Sequence, residues 1–259
     1  MKKRQKIRKT IVFVMFLLFP VVMNYLSPYV IIDGAMAGVV SGSMLLFGAL
    51  FLSGLLFHGR WWCAWVCPAA GMQEACTLFV DKKPKGGWRD YVKYVIWVVW
   101  IGLIAVFFIS AGGILGLDPL RLTDHGISVS GPMNYIIYYF VMGLVLVFNL
   151  IGGQRAFCRY LCWMAPFLVI GRKISNLLHL PGPRLTADPG KCTSCNQCET
   201  ACTMGLRVQA MVAAGRMEHS ECIQCLACVD TCPSGAVTFR YGLPGKAKEK
   251  TPGNTRRAG

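Results

Sequence analysis

The chain has 259 residues, 54% of them hydrophobic and only 15% charged, with 27 basic against 12 acidic side chains for a net charge of +15. A soluble domain carries about 25% charge, so this composition excludes a disordered chain and argues against an ordinary soluble enzyme. The positive charge by itself fits nucleic acid, but long apolar runs point first to a membrane whose inner face attracts cations, and no nucleic-acid partner is expected.

Residues 1–10 are a basic N-terminus, Met-Lys-Lys-Arg-Gln-Lys-Ile-Arg-Lys-Thr. Four apolar stretches without a charged residue follow along the chain: Ile11 to Ile32, Met36 to Phe57, Tyr94 to Leu115 and Tyr135 to Gly153. At about 1.5 Å of rise per residue such runs cover roughly 30 Å, a bilayer core, and a helix satisfies its own backbone there. The expected fold is therefore an all-α membrane bundle of four transmembrane helices over 11–183. The first stretch, awkward only at Pro20 and Asn24, reads as a retained anchor, because it is long and lacks a small-x-small cleavage site.

His58 ends the second stretch. It has the chemistry to exchange a proton with a quinone, and the plainer reading is an amphipathic end residue. Then comes Gly59-Arg60-Trp61-Trp62-Cys63-Ala64-Trp65-Val66-Cys67-Pro68. After the fourth stretch comes Gln154-Arg155-Ala156-Phe157-Cys158-Arg159-Tyr160-Leu161-Cys162-Trp163. Both read Arg, any residue, aromatic, Cys, any residue, aromatic, aliphatic, Cys, and each closes a pair of stretches. The membrane part is thus expected as two parallel copies of one helix-pair unit. Cysteines four apart share a helix face. Two such pairs bring Cys63, Cys67, Cys158 and Cys162 toward one point as a third metal centre, iron–sulfur by preference. A redox dithiol, a soft copper(I) site, and simple buried packing are the rival readings. Arg60 and Arg155 either offset thiolate charge or anchor the chain at the membrane face.

Lysine and arginine crowd the N-terminus, the loop after Phe57 and the segment after Gly153, while the loops Asp33 to Ala35 and Gly116 to Asn134 hold only Arg121. Positive charge marks the cytoplasmic side, so a multi-pass inner-membrane protein with both termini in the cytoplasm is expected. On the outer side Asp118, Asp124 and His125 are weaker proton-handling candidates. Leu161 to Ile170 is too short to span and reads as interfacial.

Gly182, Pro183, Pro189 and Gly190 mark a boundary. Beyond it, over 184–241, lie Cys192-x2-Cys195-x2-Cys198-x3-Cys202 and Cys222-x2-Cys225-x2-Cys228-x3-Cys232-Pro233. In this spacing three cysteines wrap one cube of iron and sulfide and the fourth reaches the other cube. Cys192, Cys195, Cys198 and Cys232 are therefore assigned to one [4Fe-4S] cluster, and Cys222, Cys225, Cys228 and Cys202 to a second, in an α+β dicluster ferredoxin domain. Zinc sites use paired cysteines, and disulfides need an oxidising compartment. Cys76 remains as a free thiol. The Gly, Pro, Lys and Arg-rich tail, 242–259, reads as disordered.

Taken together, the four apolar stretches, Cys63-x3-Cys67-Pro68, Cys158-x3-Cys162 and the C-terminal dicluster motif resemble the NapH-type membrane polyferredoxin family, over nearly the whole chain. The sequence departs from this family at Trp163, where the second motif usually has proline, and its lobe departs from the bacterial-type dicluster ferredoxins it resembles at Thr203, where a proline usually follows the fourth cysteine. The resemblance implies the membrane component of a quinol dehydrogenase complex, with quinone or quinol, membrane lipid, and other redox subunits or a ferredoxin as partners. The expected function is electron relay between the quinone pool and a partner oxidoreductase, with no catalytic residue assigned. The alternatives are a copper-reducing assembly factor and a membrane anchor for a soluble oxidoreductase.

Overall fold

The computed structural model describes residues 3–57 and 59–243. His58 and all but the first two residues of the tail lie outside the described residues.

The four-helix expectation is met only in part. The stretch Ile11 to Ile32 is not one helix. It divides into α1 (Lys3–Leu17), a four-residue α2 (Phe19–Val22), a 3-10 turn at Asn24–Leu26 and α3 (Pro28–Met36). Proline has no N–H to return to the preceding turn, so Pro20 and Pro28 each sit in the first turn of a new helix. Ser27 caps the second start by accepting from the Tyr29 N–H at 3.3 Å. The stretch Met36 to Phe57 is divided as well. Gly38 turns at φ +68°, Val39–Ser41 forms β1, and α4 (Gly42–Leu56) keeps only 15 residues.

Among the described residues, two helices are long and apolar enough to cross a membrane. One is Trp88–Ser110, whose regular part is α7 (Val92–Ser110), and the other is α8 (Pro132–Gly152). In their apolar windows only 17% and 11% of residues are buried, and Val95, Val99, Val106, Ile136 and Phe140 face outward. A core helix of a soluble protein would hide these side chains.

The repeat is visible in the order of elements. The first copy runs α3, β1, α4, α5 (Trp61–Trp65) and α6 (Pro68–Cys76). The second runs α7, β2 (Gly116–Asp118), α8, α9 (Ala156–Tyr160) and α10 (Ala165–Leu177). Equivalent strands pair in parallel, Val39 with Gly116 through Ser41 with Asp118, and α3 packs on α7. The copies also exchange helices: α10 packs on α4, and α6 packs on α8 and α1. The run Leu161 to Ile170 is thus not an interfacial strip. It leads into α10, where Leu168 and Val169 are buried.

The α4–α10 crossing depends on glycine. A Cβ on Gly54 would stand 2.7 Å from the Leu168 carbonyl oxygen, and one on Gly171 would stand 2.6 Å from that of Phe51. Backbone cannot yield as a side-chain tip can. Gly54→Val is therefore expected to destabilise the fold by about 1–3 kcal/mol, read as a lower unfolding midpoint in detergent.

The C-terminal lobe is α+β. β3 (Gly182–Ala187) pairs antiparallel with β4 (Val237–Gly242), from Gly182 opposite Gly242 to Ala187 opposite Val237. Between them come the short helices α11 (Gln197–Thr200), α12 (Val208–Ala213) and α13 (Ala227–Thr231). Met204, Val208, Val212, Met217 and Ile223 form its small buried core.

Candidate iron–sulfur sites

The two Cys-x3-Cys motifs share one backbone design. In the first, the N–H groups of Val66 and Cys67 both donate to the Trp62 carbonyl, each at 3.0 Å. In the second, those of Leu161 and Cys162 both donate to the Phe157 carbonyl, each at 3.0 Å. The chain therefore leaves the helix between the two cysteines. Cys63 lies in α5, while Cys67 is the residue before α6, so the pair does not share one helical face as the spacing predicts. The missing proline at Trp163 is replaced by Pro166, which starts α10 a few residues later. The Trp163 indole N–H instead donates to the Leu26 carbonyl at 3.1 Å.

Cys63, Cys67, Cys158 and Cys162 are all buried, at 2–3% exposure. They are electrostatic neighbours: the Cys67 thiol feels Cys158, Cys63 and Cys162. Burial pushes the Cys63 and Cys67 thiols up, and pushes Cys162 up to about 12, with Cys158 adding to the effect. Burial therefore favours the neutral form of the Cys63, Cys67 and Cys162 thiols. Among the described residues, no three His, Cys, Asp or Glu side chains converge as the ligands of a single ion.

Two arginines cross between the copies. Arg60 Nη2 donates to the Cys158 carbonyl at 2.7 Å, and Arg155 Nη1 donates to the Cys63 carbonyl at 2.7 Å. Both are 0% exposed, and the Nε of each has no partner. Gln73, also fully buried, donates its amide to Cys158 Sγ at 3.0 Å. Sulfur-rich, buried surroundings with unpaired cationic donors fit a thiolate-ligated anionic group.

In the lobe, Cys202, Cys222, Cys225 and Cys228 line one cavity with apolar Leu206, Met217 and Ile223. Cys192, Cys195, Cys198 and Cys232 line another. The fourth cysteine of each run thus stands with the first three of the other run. Apolar walls and sulfur donors suit [4Fe-4S] clusters in both cavities. The four cysteines of the inner cavity are each half-buried. The outer one reaches solvent through Cys195, which is exposed.

The inner cavity faces the Cys-x3-Cys motifs. Arg60 Nη1 pairs with Glu221 Oε2 at 2.6 Å, one residue before Cys222. The Trp65 indole donates to the Gln224 carbonyl at 3.2 Å, and the Gln5 amide donates to the Cys225 carbonyl at 2.9 Å. The Arg4 guanidinium holds Asp230 at 2.8 Å. The basic N-terminus is therefore a strap over the lobe as well as a run of charge.

Sequence reasoning passes over Glu74, Glu221, Lys93, Arg8 and Gln73, all buried beside the thiols. A glutamate within a glycine- and alanine-rich helix, Pro68–Cys76, is the one visible signal. Among the candidates read as proton carriers on the outer side, His125 lies 2.7 Å from Asp124 and is 96% exposed at its side chain, away from every cysteine site. Cys76 is buried in α6.

Family comparisons fall on the same regions. The model of a 4Fe-4S dicluster domain matches residues 184–233, and that of a 4Fe-4S binding domain matches twice, at 40–86 and 134–181. Those two segments contain the two Cys-x3-Cys motifs, one in each. The chain is 25% identical over 261 aligned residues to an uncharacterised protein of Methanocaldococcus jannaschii, covering 95% of this chain and 89% of that protein. It is 24% identical to the methylamine utilization ferredoxin-type protein MauN of Methylobacillus flagellatus, covering 84% of this chain and 75% of MauN. It is 29% identical to NirI of Paracoccus denitrificans over 71% of this chain and 26% of NirI. No solved structure matches the chain. The matched segments, the two lobe cavities and these relatives together support an iron–sulfur electron-transfer protein of ferredoxin type.

Proposed function

We propose that the chain relays electrons between the membrane quinone pool and a partner oxidoreductase, through three centres in series. Cys63, Cys67, Cys158 and Cys162 hold the first, an iron–sulfur centre. Cys202, Cys222, Cys225 and Cys228 hold the second, and Cys192, Cys195, Cys198 and Cys232 the third, as [4Fe-4S] clusters. The observation that carries this is the Arg60 side chain, which bridges the Cys158 carbonyl to Glu221 beside Cys222 and so ties the first site to the second. Clusters supply the redox chemistry, and the chain's residues hold them close and keep water out.

In this reading α7 and α8 lie in lipid, with the shorter apolar helices beside them, and the lobe is cytoplasmic. A quinol gives up two electrons singly and two protons. His58 is the proposed proton acceptor, at the end of the second apolar stretch. The relation to NapH-type quinol dehydrogenase components belongs to the same reading. Beside the lobe cavities a groove lined by Arg172, Arg184, Lys191, Arg216 and Arg240, against Asp188 and Glu218, offers an acidic redox partner a docking face.

The test is a quinol titration of the purified full chain followed by EPR. Three reducible signals are expected. Cys63→Ser is expected to remove one and to leave the lobe signals reducible by dithionite but not by quinol. Two signals in the native chain, both reduced by quinol, would overturn the reading.

A further inference from the structure

Two buried charge clusters flank the Cys-x3-Cys thiols, and each holds one cation too many. At Glu221, Arg60 Nη1 and Lys93 Nζ both approach Oε2 at 2.6 Å. At Glu74, Arg8 Nη2 meets Oε1 at 2.8 Å and Arg155 Nη2 meets Oε2 at 2.8 Å. Arg60, Arg155 and Lys93 are 0% exposed and Arg8 is 3% exposed. The next buried arginine, Arg159, is matched by Asp90 at 2.7 Å and adds nothing to the balance. Lys9, 3.5 Å from Glu74, keeps its side chain 38% exposed, where water screens it.

Two cations against one carboxylate leave one positive charge in each cluster, so two for the site. Besides the two motif arginines, which precede α5 and α9, the members come from four separate places: α1, α6, α7 and the lobe. Each cluster nevertheless ends on an arginine from the same motif position, reaching the other copy's cysteine carbonyl. Arginine keeps its proton at any relevant pH, so the charges of Arg60, Arg155 and Arg8 are fixed.

Uncompensated charge is costly in a site this buried. Four neutral thiols supply no anion, and neither does a disulfide. One copper(I) between two thiolates supplies a single negative charge. Four thiolates around a doubly positive iron–sulfur core supply two. We propose that Arg60 and Arg155, each with its shared carboxylate and second cation, are a built-in counter-charge of two. They select a dianionic four-thiolate centre at Cys63, Cys67, Cys158 and Cys162 and hold its reduction potential above that of the same centre without them. This rests on the reading that these cysteines carry an iron–sulfur centre. One-electron reduction there adds one negative charge, makes and breaks no bond to the protein and takes up no proton. The guanidinium groups stabilise the added charge, and the electron comes from the quinol and leaves toward the lobe.

The experiment is an EPR-monitored redox titration of the purified full chain. Arg60→Gln and Arg155→Gln are expected to lower the midpoint potential of the membrane-face centre, and Arg60→Lys to keep it near the native value. Glu221→Gln removes a negative charge and is expected to raise it. The cluster at Cys192, Cys195, Cys198 and Cys232 is expected to stay unmoved in all four. Shifts of opposite sign for the arginine and glutamate variants support the proposal. Absent shifts, or shifts of one sign, overturn it. If Arg60→Gln loses the centre, the Glu221→Gln shift decides, upward in favour and otherwise against. A native chain with iron for two clusters only, and no third signal, overturns instead the reading beneath the proposal.

Discussion

Cys225→Ser is expected to cut the proposed relay in the middle. Cys225 lines the inner lobe cavity with Cys202, Cys222 and Cys228, and its carbonyl receives the Gln5 amide at 2.9 Å. Arg155, which donates to the Cys63 carbonyl, also feels its thiolate. Cys225 is thus tied to the site at Cys63 through Arg155. Serine is a poor ligand for a soft cluster, so the inner EPR signal should be lost. The outer cluster should still form, because its four cysteines line a separate cavity. After mixing with quinol and rapid freezing, the membrane-face centre should be reduced as in the native chain, and reduction of the outer cluster should fall to background. Dithionite should still reduce the outer cluster, through exposed Cys195. The mirror variant, Cys195→Ser, should leave the inner cluster reducible by quinol. An outer cluster that fills at the native rate in Cys225→Ser would refute the order of the centres.

The second large effect is on stability. Glu74 is the one carboxylate serving both Arg8 and Arg155, and its side chain is 8% exposed. Removing one partner of a buried pair strands the other charge. Glu74→Ala leaves two stranded cations and should destabilise the fold by about 3–5 kcal/mol. The same group sets a pH limit. Burial pushes its carboxyl up, but Arg155 and then Arg8 pull it down, from 4.5 to about 2 in the folded chain. A folded value below the unfolded one means that the stabilisation is complete above pH 4.5 and is lost as the pH falls toward 2. The size is on the order of 3 kcal/mol. Unfolding midpoints in detergent should fall between pH 4.5 and 2 in the native chain, and more gently in Glu74→Gln. Equal slopes would show that another group governs acid sensitivity.

The grouping of the lobe cysteines was readable from the chain because cysteines at ferredoxin spacing repeat at fixed short intervals. The spacing of Cys192 to Cys202 and Cys222 to Cys232 already implies the crossed grouping that the two cavities display. Apolar composition was less informative about helix ends. Hydropathy averages over a window and does not register a missing N–H, so Ile11 to Ile32 passed as one span although Pro20 and Pro28 each begin a new helix. The break within Cys63-x3-Cys67 escaped for a similar reason. A spacing of four predicts one helical face, but the Cys67 N–H reaches back to Trp62 rather than Cys63, and the chain turns there.

What the sequence determined by itself was local: sulfur at ligand spacing, a repeated arginine–cysteine motif and an excess of basic side chains. Only the tertiary structure decided which charges stand together. Glu74 and Glu221 are 147 positions apart by their numbers, and each gathers two cations from other elements. Such pairing depends on how helices cross and on where water is excluded, and neither is written in the spacing of residues along a chain.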